Sequence, residues 1–335
     1  MEKGPKIRTI GGASFDKKKQ VKKEVTQALF SHFESLSPGE REQFEEFEYP
    51  KSEKELALIG FANEETSRLM QEAGIDPYDV PVDNFHIISP DLFKMVGGNA
   101  TAITFNTKQG IIFDAQYFRD NPVYFGVVAL HELLHLKAHF SLEVQEEGDK
   151  LRKTPYREGV TVRALQSYGF NGKYHAHFVG LHEGIVAETE KRFLGKFLDR
   201  PELALEKEWL MSDEAKKMRK KLAEEKKISE DDIIWVSKKG KGNFETVSYL
   251  QQRNVLNYVC DEIQKQFPDE YKNTDDVYKV FLNAHFTGRL LLIARLVEKT
   301  FGEGSFRLLG NMNTDRQSGV LHLESLKKAR VRQLR

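Results

Sequence analysis

The spacing of apolar and polar positions divides the chain into four regions. Residues 1–80 are charged, with phenylalanines recurring among Glu and Lys, and predict a charged helical N-terminal region. Residues 81–200 contain the strongest apolar runs and predict the core of the protein. Residues 201–245 predict a charged helical insertion and a loop, and residues 246–335 predict a C-terminal helical subdomain with a basic tail. The pattern predicts an α+β fold that is predominantly helical.

Short apolar runs near the start of the second region predict a small β-sheet. Phe85-His86-Ile87-Ile88 has the composition of a buried strand. Two further runs, residues 100–105 and 110–113, flank the polar tetrapeptide Asn106-Thr107-Lys108-Gln109, and this arrangement predicts a hairpin. The sheet therefore precedes the long apolar run that follows in the sequence.

That long run predicts a buried helix with two histidines on one face. Asp120-Asn121-Pro122 predicts the start of the helix, because Asn or Asp can cap the first free amides and Pro is tolerated in the first turn. His131 and His135 are four residues apart, so both point the same way. Two imidazoles at that spacing can reach one zinc ion at ~2.0–2.1 Å. Glu132 lies beside them without being a ligand, which is the place of a general base.

The surroundings of this helix favour a metal ion over two ordinary core histidines. The flanking residues are apolar, and a buried Glu beside two His would be costly without a partner. A tetrahedral catalytic zinc needs a third protein ligand and one open position. The extended pattern with a third histidine fails, because position 138 is Ala and position 141 is Ser. His139 is expected one further turn along the same helix, where the ~6 Å rise places it too far to bind the same ion.

A second amphipathic helix follows from Gly180 and contains three acidic candidates. These are Glu183 in its first turn, Glu188 and Glu190. A helical H-E-x-x-H followed by a Glu-Gly pair that opens a second helix resembles the gluzincin metallopeptidases. The resemblance implies a zincin-like core over residues 81–200, one catalytic Zn²⁺ bound by His131, His135 and Glu183, and Glu132 as the base. Glu188 and Glu190 stay as rival third ligands, and of the two only Glu190 shares a face with Glu183.

The resemblance also implies a substrate-binding strand and a donor for the oxyanion. In gluzincins the edge strand of the sheet pairs with an extended peptide, and the strands at 102–105 and 110–113 are the candidates here. Tyr174, His177 and Tyr249 are candidate donors to the tetrahedral oxyanion. The chain departs from many gluzincins in two ways: the stretch between His135 and Glu183 is long, and Ala187 stands where several members carry an acidic residue.

Composition restricts the setting and the partners. Lys and Arg number 51, as do Asp and Glu, so charge gives no reason to expect nucleic acid or an anionic membrane. Cys260 is the single cysteine, which excludes an intramolecular disulfide and a cysteine-built zinc site. No apolar run approaches the ~20 residues of a membrane span. We expect a cytoplasmic protein, and the sequence does not predict its oligomeric state.

These observations predict a zinc metallopeptidase that hydrolyses a peptide or protein substrate. Two alternatives are a regulatory protease similar to those that cleave repressors, and a zincin-like interaction protein without turnover. In the second alternative the charged segment 203–230 is the working surface. The presence of Glu132 favours an enzyme, because a purely structural site needs no base.

Overall fold

The computed structural model describes residues 4–148, 150–165, 174–237 and 244–334. In these residues the protein is α+β and mostly helical, as predicted. The helices are α1 (Phe15–Ala28), α2 (His32–Ser35), α3 (Pro38–Phe47), α4 (Glu53–Glu72), α5 (Pro90–Gly97), α6 (Ala115–Phe118), α7 (Pro122–Lys137), α8 (Val179–Leu198), α9 (Ala204–Met211), α10 (Asp213–Lys226), α11 (Leu250–Gln266), α12 (Thr274–Thr287), α13 (Leu291–Phe301), α14 (Ser305–Gly310) and α15 (Arg316–Gln333). The strands are β1 (Ile7–Ile10), β2 (Glu48–Tyr49), β3 (Phe85–Ile88), β4 (Ala102–Phe105), β5 (Gly110–Asp114), β6 (Phe140–Glu147), β7 (Lys150–Glu158), β8 (Thr161–Leu165), β9 (Tyr174–His177), β10 (Ile233–Val236) and β11 (Phe244–Thr246).

The sheet predicted before the long apolar helix is present and has four strands in the order β2-β3-β5-β4. β4 and β5 form the predicted antiparallel hairpin, in which Ala102 pairs with Phe113 and Phe105 with Gly110. Gln109 closes the turn with a left-handed φ of 54°. β4 lies at the edge of the sheet and packs against α7.

A second sheet, with strand order β1-β6-β7-β8-β9, was not predicted. Its first strand is parallel to β6, and the other pairings are antiparallel. One face is apolar and is covered by α1, whose Val21 and Val25 pack against Ile7, Phe140 and Leu142. Apolar and polar residues alternate clearly along β6, but β7 has the sequence KLRKTPYRE and is largely polar on both faces. A strand of that composition gives little periodic signal.

α7 passes through the centre of the molecule. Asn121 caps it by accepting a hydrogen bond from the amide of Tyr124, and Pro122 occupies its first turn, as predicted. α4 packs on one side and α8 on another, and β10 also contacts it. A single hydrophobic cluster extends from Leu29 to Leu326 and draws on all four regions of the chain. The region boundaries themselves stay a prediction.

Two details of the predicted elements were wrong. α7 ends at Lys137 and Ala138 is extended, so His139 does not continue the helix. The basic C-terminal segment is not a solvated tail, since it belongs to α15 as far as Gln333. Arg330 is buried there and donates hydrogen bonds to Glu262 and Gln266.

The charged segment 203–230 is helical, as predicted, and forms α9 and α10. Most of the loop predicted after it, residues 238–243, lies outside the described residues. None of the helices in the described ranges combines the length and apolar character that a membrane crossing requires.

Candidate metal centre

Two helices bring His131, His135 and Glu183 together. The first two side chains are one turn apart on α7, and Glu183 projects from α8, which packs against α7. α8 begins at Val179, four residues before Glu183. Gly180 lets the start of α8 pack against the segment between α14 and α15, because a Cβ there would lie 2.5 Å from the carbonyl oxygen of Asn313. The distance of Glu183 from the two histidines therefore depends on how α8 packs against α7.

The three side chains present their acceptor atoms to one point. The two Nε2 atoms of His131 and His135 are 3.2 Å apart. Oε2 of Glu183 lies 3.7 Å from the first and 3.4 Å from the second. A tetrahedral zinc with ligands at ~2.0–2.2 Å separates its ligand atoms by about 3.3–3.6 Å. The measured triangle has the size that such an ion needs.

Oε2 of Glu183 is also not satisfied by the hydrogen bonds around it. It is buried and accepts no well-formed hydrogen bond from the described residues, and the imidazole nitrogens of His135 and His131 lie 3.4 and 3.7 Å from it. A buried carboxylate oxygen without a partner is expensive in free energy, unless a cation or a donor compensates it. The residues present therefore fit a metal ion by both geometry and donor chemistry.

The outer nitrogens of both imidazoles have partners of their own. Nδ1 of His131 lies 2.8 Å from Oε2 of Glu190, and since a carboxylate only accepts, this nitrogen carries the hydrogen. Nδ1 of His135 lies 2.9 Å from Nε2 of His182. Burial holds the pKa of His182 well below its usual range, so His182 is a neutral acceptor. Both rings are thus held with Nε2 directed to Glu183, so a metal ion would replace a proton on that nitrogen.

The charge balance of this cluster is negative. Glu132, Glu183 and Glu190 lie around the two imidazoles, and no Lys or Arg among the described residues forms an ion pair with any of them. Burial lowers the pKa of His135, but the carboxylate of Glu183 outweighs burial and raises it to about 9. Burial also opposes the charge of His131, yet its bond to Glu190 leaves its pKa raised. The imidazoles therefore take up protons, and a metal cation would supply the same positive charge.

Glu183 responds in the opposite sense. Burial alone would raise its pKa, but the neighbouring charges of His135 and His131 hold it below the usual value. The carboxylate is therefore ionised, which is the state in which it binds a metal.

Glu132 lies beside the triangle and outside it. Oγ1 of Thr104, on the edge strand β4, donates a 2.7 Å hydrogen bond to Oε2 of Glu132. The side chain is buried. Edge strand, candidate base and candidate metal ligands thus meet in one place. Sequence reasoning identified Glu132 but did not identify Thr104 as its partner.

The rival acidic residues of α8 have other partners. Glu190 bonds to the outer nitrogen of His131, so it supports a ligand in this geometry. Glu188 accepts from Arg192 and Asn257 and lies 3.8 Å from Arg253. Of the three acidic residues, only Glu183 lies within reach of both Nε2 atoms. The identity of the third ligand stays a prediction.

The candidate oxyanion donors are placed differently. The ring of Tyr249 stacks on His131 with centroids 6.3 Å apart. Burial and the carboxylates of Glu183, Glu132 and Glu190 raise the pKa of the Tyr249 phenol, which keeps its proton. His177 is on β9 and its ring contacts His175. The side chain of Tyr174 lies outside the described residues.

A second group shares one of these histidines. Nδ1 of His135, Nε2 of His182 and a carboxylate oxygen of Glu158 lie within 4.8 Å of one another. Glu158 lies 3.8 Å from His135 and also accepts from Asn106 in the β4–β5 turn. His182 was not predicted, although it directly precedes Glu183 in the sequence. This group contacts His135 through the nitrogen that faces away from Glu183.

Comparison with known proteins adds no relative. Neither a family model, nor a curated protein, nor a solved structure matches this chain. The gluzincin resemblance therefore depends on the residues described above and stays a prediction.

Proposed function

We propose that this protein is a zinc-dependent peptidase whose ion is held by His131, His135 and Glu183. The observation that carries the proposal is the unsatisfied Oε2 of Glu183, which faces two Nε2 atoms at the separations a tetrahedral ion requires. The negative balance of the buried cluster supports it further, because the described residues provide no Lys or Arg to neutralise three carboxylates.

A bound zinc ion would polarise a substrate carbonyl and lower the pKa of water toward ~7. The remaining chemistry belongs to the chain. Glu132 accepts a proton from the attacking water and donates it to the leaving amine. Thr104 holds that carboxylate in position through its 2.7 Å bond. Tyr249, protonated and stacked on His131, donates to the oxyanion.

The edge strand supports a peptide as the substrate. β4 lies at the end of its sheet and carries Thr104, which contacts Glu132. An extended peptide that pairs with an exposed strand edge gains main-chain hydrogen bonds that do not depend on its sequence. A peptide bound along β4 would therefore pass beside the candidate base.

Metal analysis and one pair of variants test this proposal. Purified protein should bind one zinc per chain and cleave members of a mixed peptide library, with products identified by mass spectrometry. Glu132→Gln should retain zinc and lose hydrolysis by at least about a hundredfold. Glu225→Gln, an exposed control on α10, should retain both.

Two outcomes would decide against the peptidase. A folded protein that binds no zinc contradicts the metal centre. Zinc binding without cleavage of any library peptide favours the alternative, a regulatory zincin-like protein. Full activity of Glu132→Gln would contradict the assigned base.

A further inference from the structure

A second polar site lies on the face of the five-stranded sheet that α1 does not cover. Pairing places Arg8 opposite Ser141, Ser141 opposite Arg157, and Arg157 opposite Val162. Residues that pair directly across strands project to the same face. These four side chains therefore form a row across β1, β6, β7 and β8, and all four line one cavity of about 500 Å³.

The cavity is lined by hydrogen-bond donors and apolar groups. The guanidinium groups of Arg8 and Arg157 and the hydroxyls of Ser141 and Tyr156 supply the polar part, and the hydroxyl of Ser141 also bonds to Nε2 of His139. Ile10, Val162 and Leu290 supply the apolar part, and Gly288 completes the wall. Among the described residues, no carboxylate lines the cavity. Glu143 follows on the same face of β6, opposite Ile10, and it accepts a hydrogen bond from Gln145.

The two arginines lack acidic partners within the described ranges. Arg157 donates to the carbonyl oxygen of Gly288, but its Nε is buried and has no partner. Arg8 is exposed and forms no ion pair there. Burial lowers the pKa of Arg157, and the charge of Arg8 lowers it further. Burial and the same two arginines lower the pKa of the adjacent His139 to about 4.

Such an arrangement is costly without a ligand. Two cations held together, one of them with a buried unpartnered N–H, repel each other and lose solvation. A bound oxyanion reduces both the repulsion and the loss of solvation, because guanidinium groups bind carboxylate and phosphate oxygens with paired hydrogen bonds. The volume lies in the range of small-molecule pockets.

We propose that this cavity binds a small organic anion, a carboxylate or phosphate ester, through Arg8 and Arg157. The apolar side chains hold the organic part of the ligand, and the guanidinium groups hold its oxyanion. The proposal does not depend on the peptidase function, since Arg157 projects from the opposite face of β7 to its neighbour Glu158.

Calorimetric titration with three probes of similar shape tests it. Phenyl phosphate and phenylacetate carry the two oxyanions, and phenylacetamide is the uncharged counterpart. We expect at least one anion to bind and the amide not to bind. The better anion identifies which oxyanion the site takes.

Three variants show where the anion binds. Arg157→Gln and Arg8→Gln should each weaken binding roughly tenfold to a hundredfold, the range for a lost charged hydrogen bond. Arg152→Gln is the matched control, because Arg152 is on the same strand but pairs with Glu147 outside the cavity. Arg8 is exposed, so its variant stays informative if Arg157→Gln does not fold.

Two results would overturn the proposal. One is that neither anion binds the wild-type protein at millimolar concentration. The other is that the anion binds Arg157→Gln and Arg8→Gln as tightly as it binds Arg152→Gln.

Discussion

Glu190 bonds to Nδ1 of His131, while Nε2 of the same ring faces Glu183. One imidazole thus lies between two carboxylates of α8 that are seven positions apart in the sequence. This carboxylate–imidazole arrangement orients a metal ligand and increases its basicity. In this geometry Glu190 orients His131 and does not face the point between the two Nε2 atoms. Variants of the acidic residues can distinguish an orienting residue from a third ligand.

We expect Glu190→Gln to weaken zinc binding roughly tenfold to a hundredfold, the usual effect of losing an orienting partner. Glu183→Gln should abolish stoichiometric binding, because it removes a ligand. Glu188→Gln should leave zinc affinity unchanged, since its carboxylate bonds to Arg192 and Asn257. Competition with a chelator measures all three. A larger loss in Glu190→Gln than in Glu183→Gln would assign the third ligand to Glu190.

His182→Asn tests the partner of the other histidine. His182 accepts a hydrogen bond from Nδ1 of His135. The variant should therefore lower zinc affinity roughly tenfold to a hundredfold, as expected for Glu190→Gln, and still bind one zinc per chain. His182 also belongs to the second group of potential ligands, with His135 and Glu158. The number of zinc ions per chain therefore tests whether that group binds an ion of its own. Two zinc ions in the wild-type protein and one in His182→Asn would show that this group binds its own ion. Elemental analysis measures the ratio.

Tyr249→Phe tests the oxyanion donor. The variant keeps the ring that stacks on His131 and removes the hydroxyl. We expect kcat to fall by about 10²–10³, as for the loss of one such donor, with KM and zinc content almost unchanged. His177→Gln is the comparison, since the described contacts of His177 are with β8 and His175. If His177→Gln carries the larger loss in kcat, the donor assignment is wrong.

His32 should make stability depend on pH far from the metal centre. Burial lowers its pKa to about 4, and the charge of His86 lowers it further. The hydrogen bond to the carbonyl of Lys108 opposes this shift but is outweighed by burial. The unfolded chain binds a proton below pH ~6.5 and the folded chain does not. The free energy of unfolding should therefore fall between pH ~6.5 and about 4, by at most about 3 kcal/mol from this group.

Denaturant titration of the metal-free protein measures this effect. His32→Gln should lose part of the pH dependence within that window and keep the dependence below it. His322→Gln, on α15, is the control. An unchanged slope in His32→Gln would contradict the assignment.

The periodicity of the sequence was enough to predict the half of the candidate centre that lies on α7. The spacing of His131 and His135, and the position of Glu132 between them, follow from the geometry of one helix. Asn121 and Pro122 marked where that helix begins. The other half lies on α8, and its approach to α7 depends on tertiary packing. Glu183 could be proposed only by resemblance, and His182 and Thr104 were not identified as neighbours.

Two errors have physical causes in the chain itself. β7 was missed because its polar side chains obscure the alternation that β6 shows. His139 was placed one turn further along α7, yet the helix ends at Lys137 with an extended Ala138. The backbone there turns into β6, and pairing with β1 and β7 outweighs helix propensity.

The pairing of β1 with β6 has a consequence for how the chain acquires its structure. Ile7 and Phe140 are neighbours in the sheet but far apart in the sequence. During synthesis, the first strand has no partner until the whole of α7 and the start of β6 have emerged. Contacts of such high sequence separation form slowly, because a long loop must close first. A fusion or deletion that displaces β1 would therefore disturb the sheet into which the chain passes directly after α7, although β1 is far from α7 in the sequence.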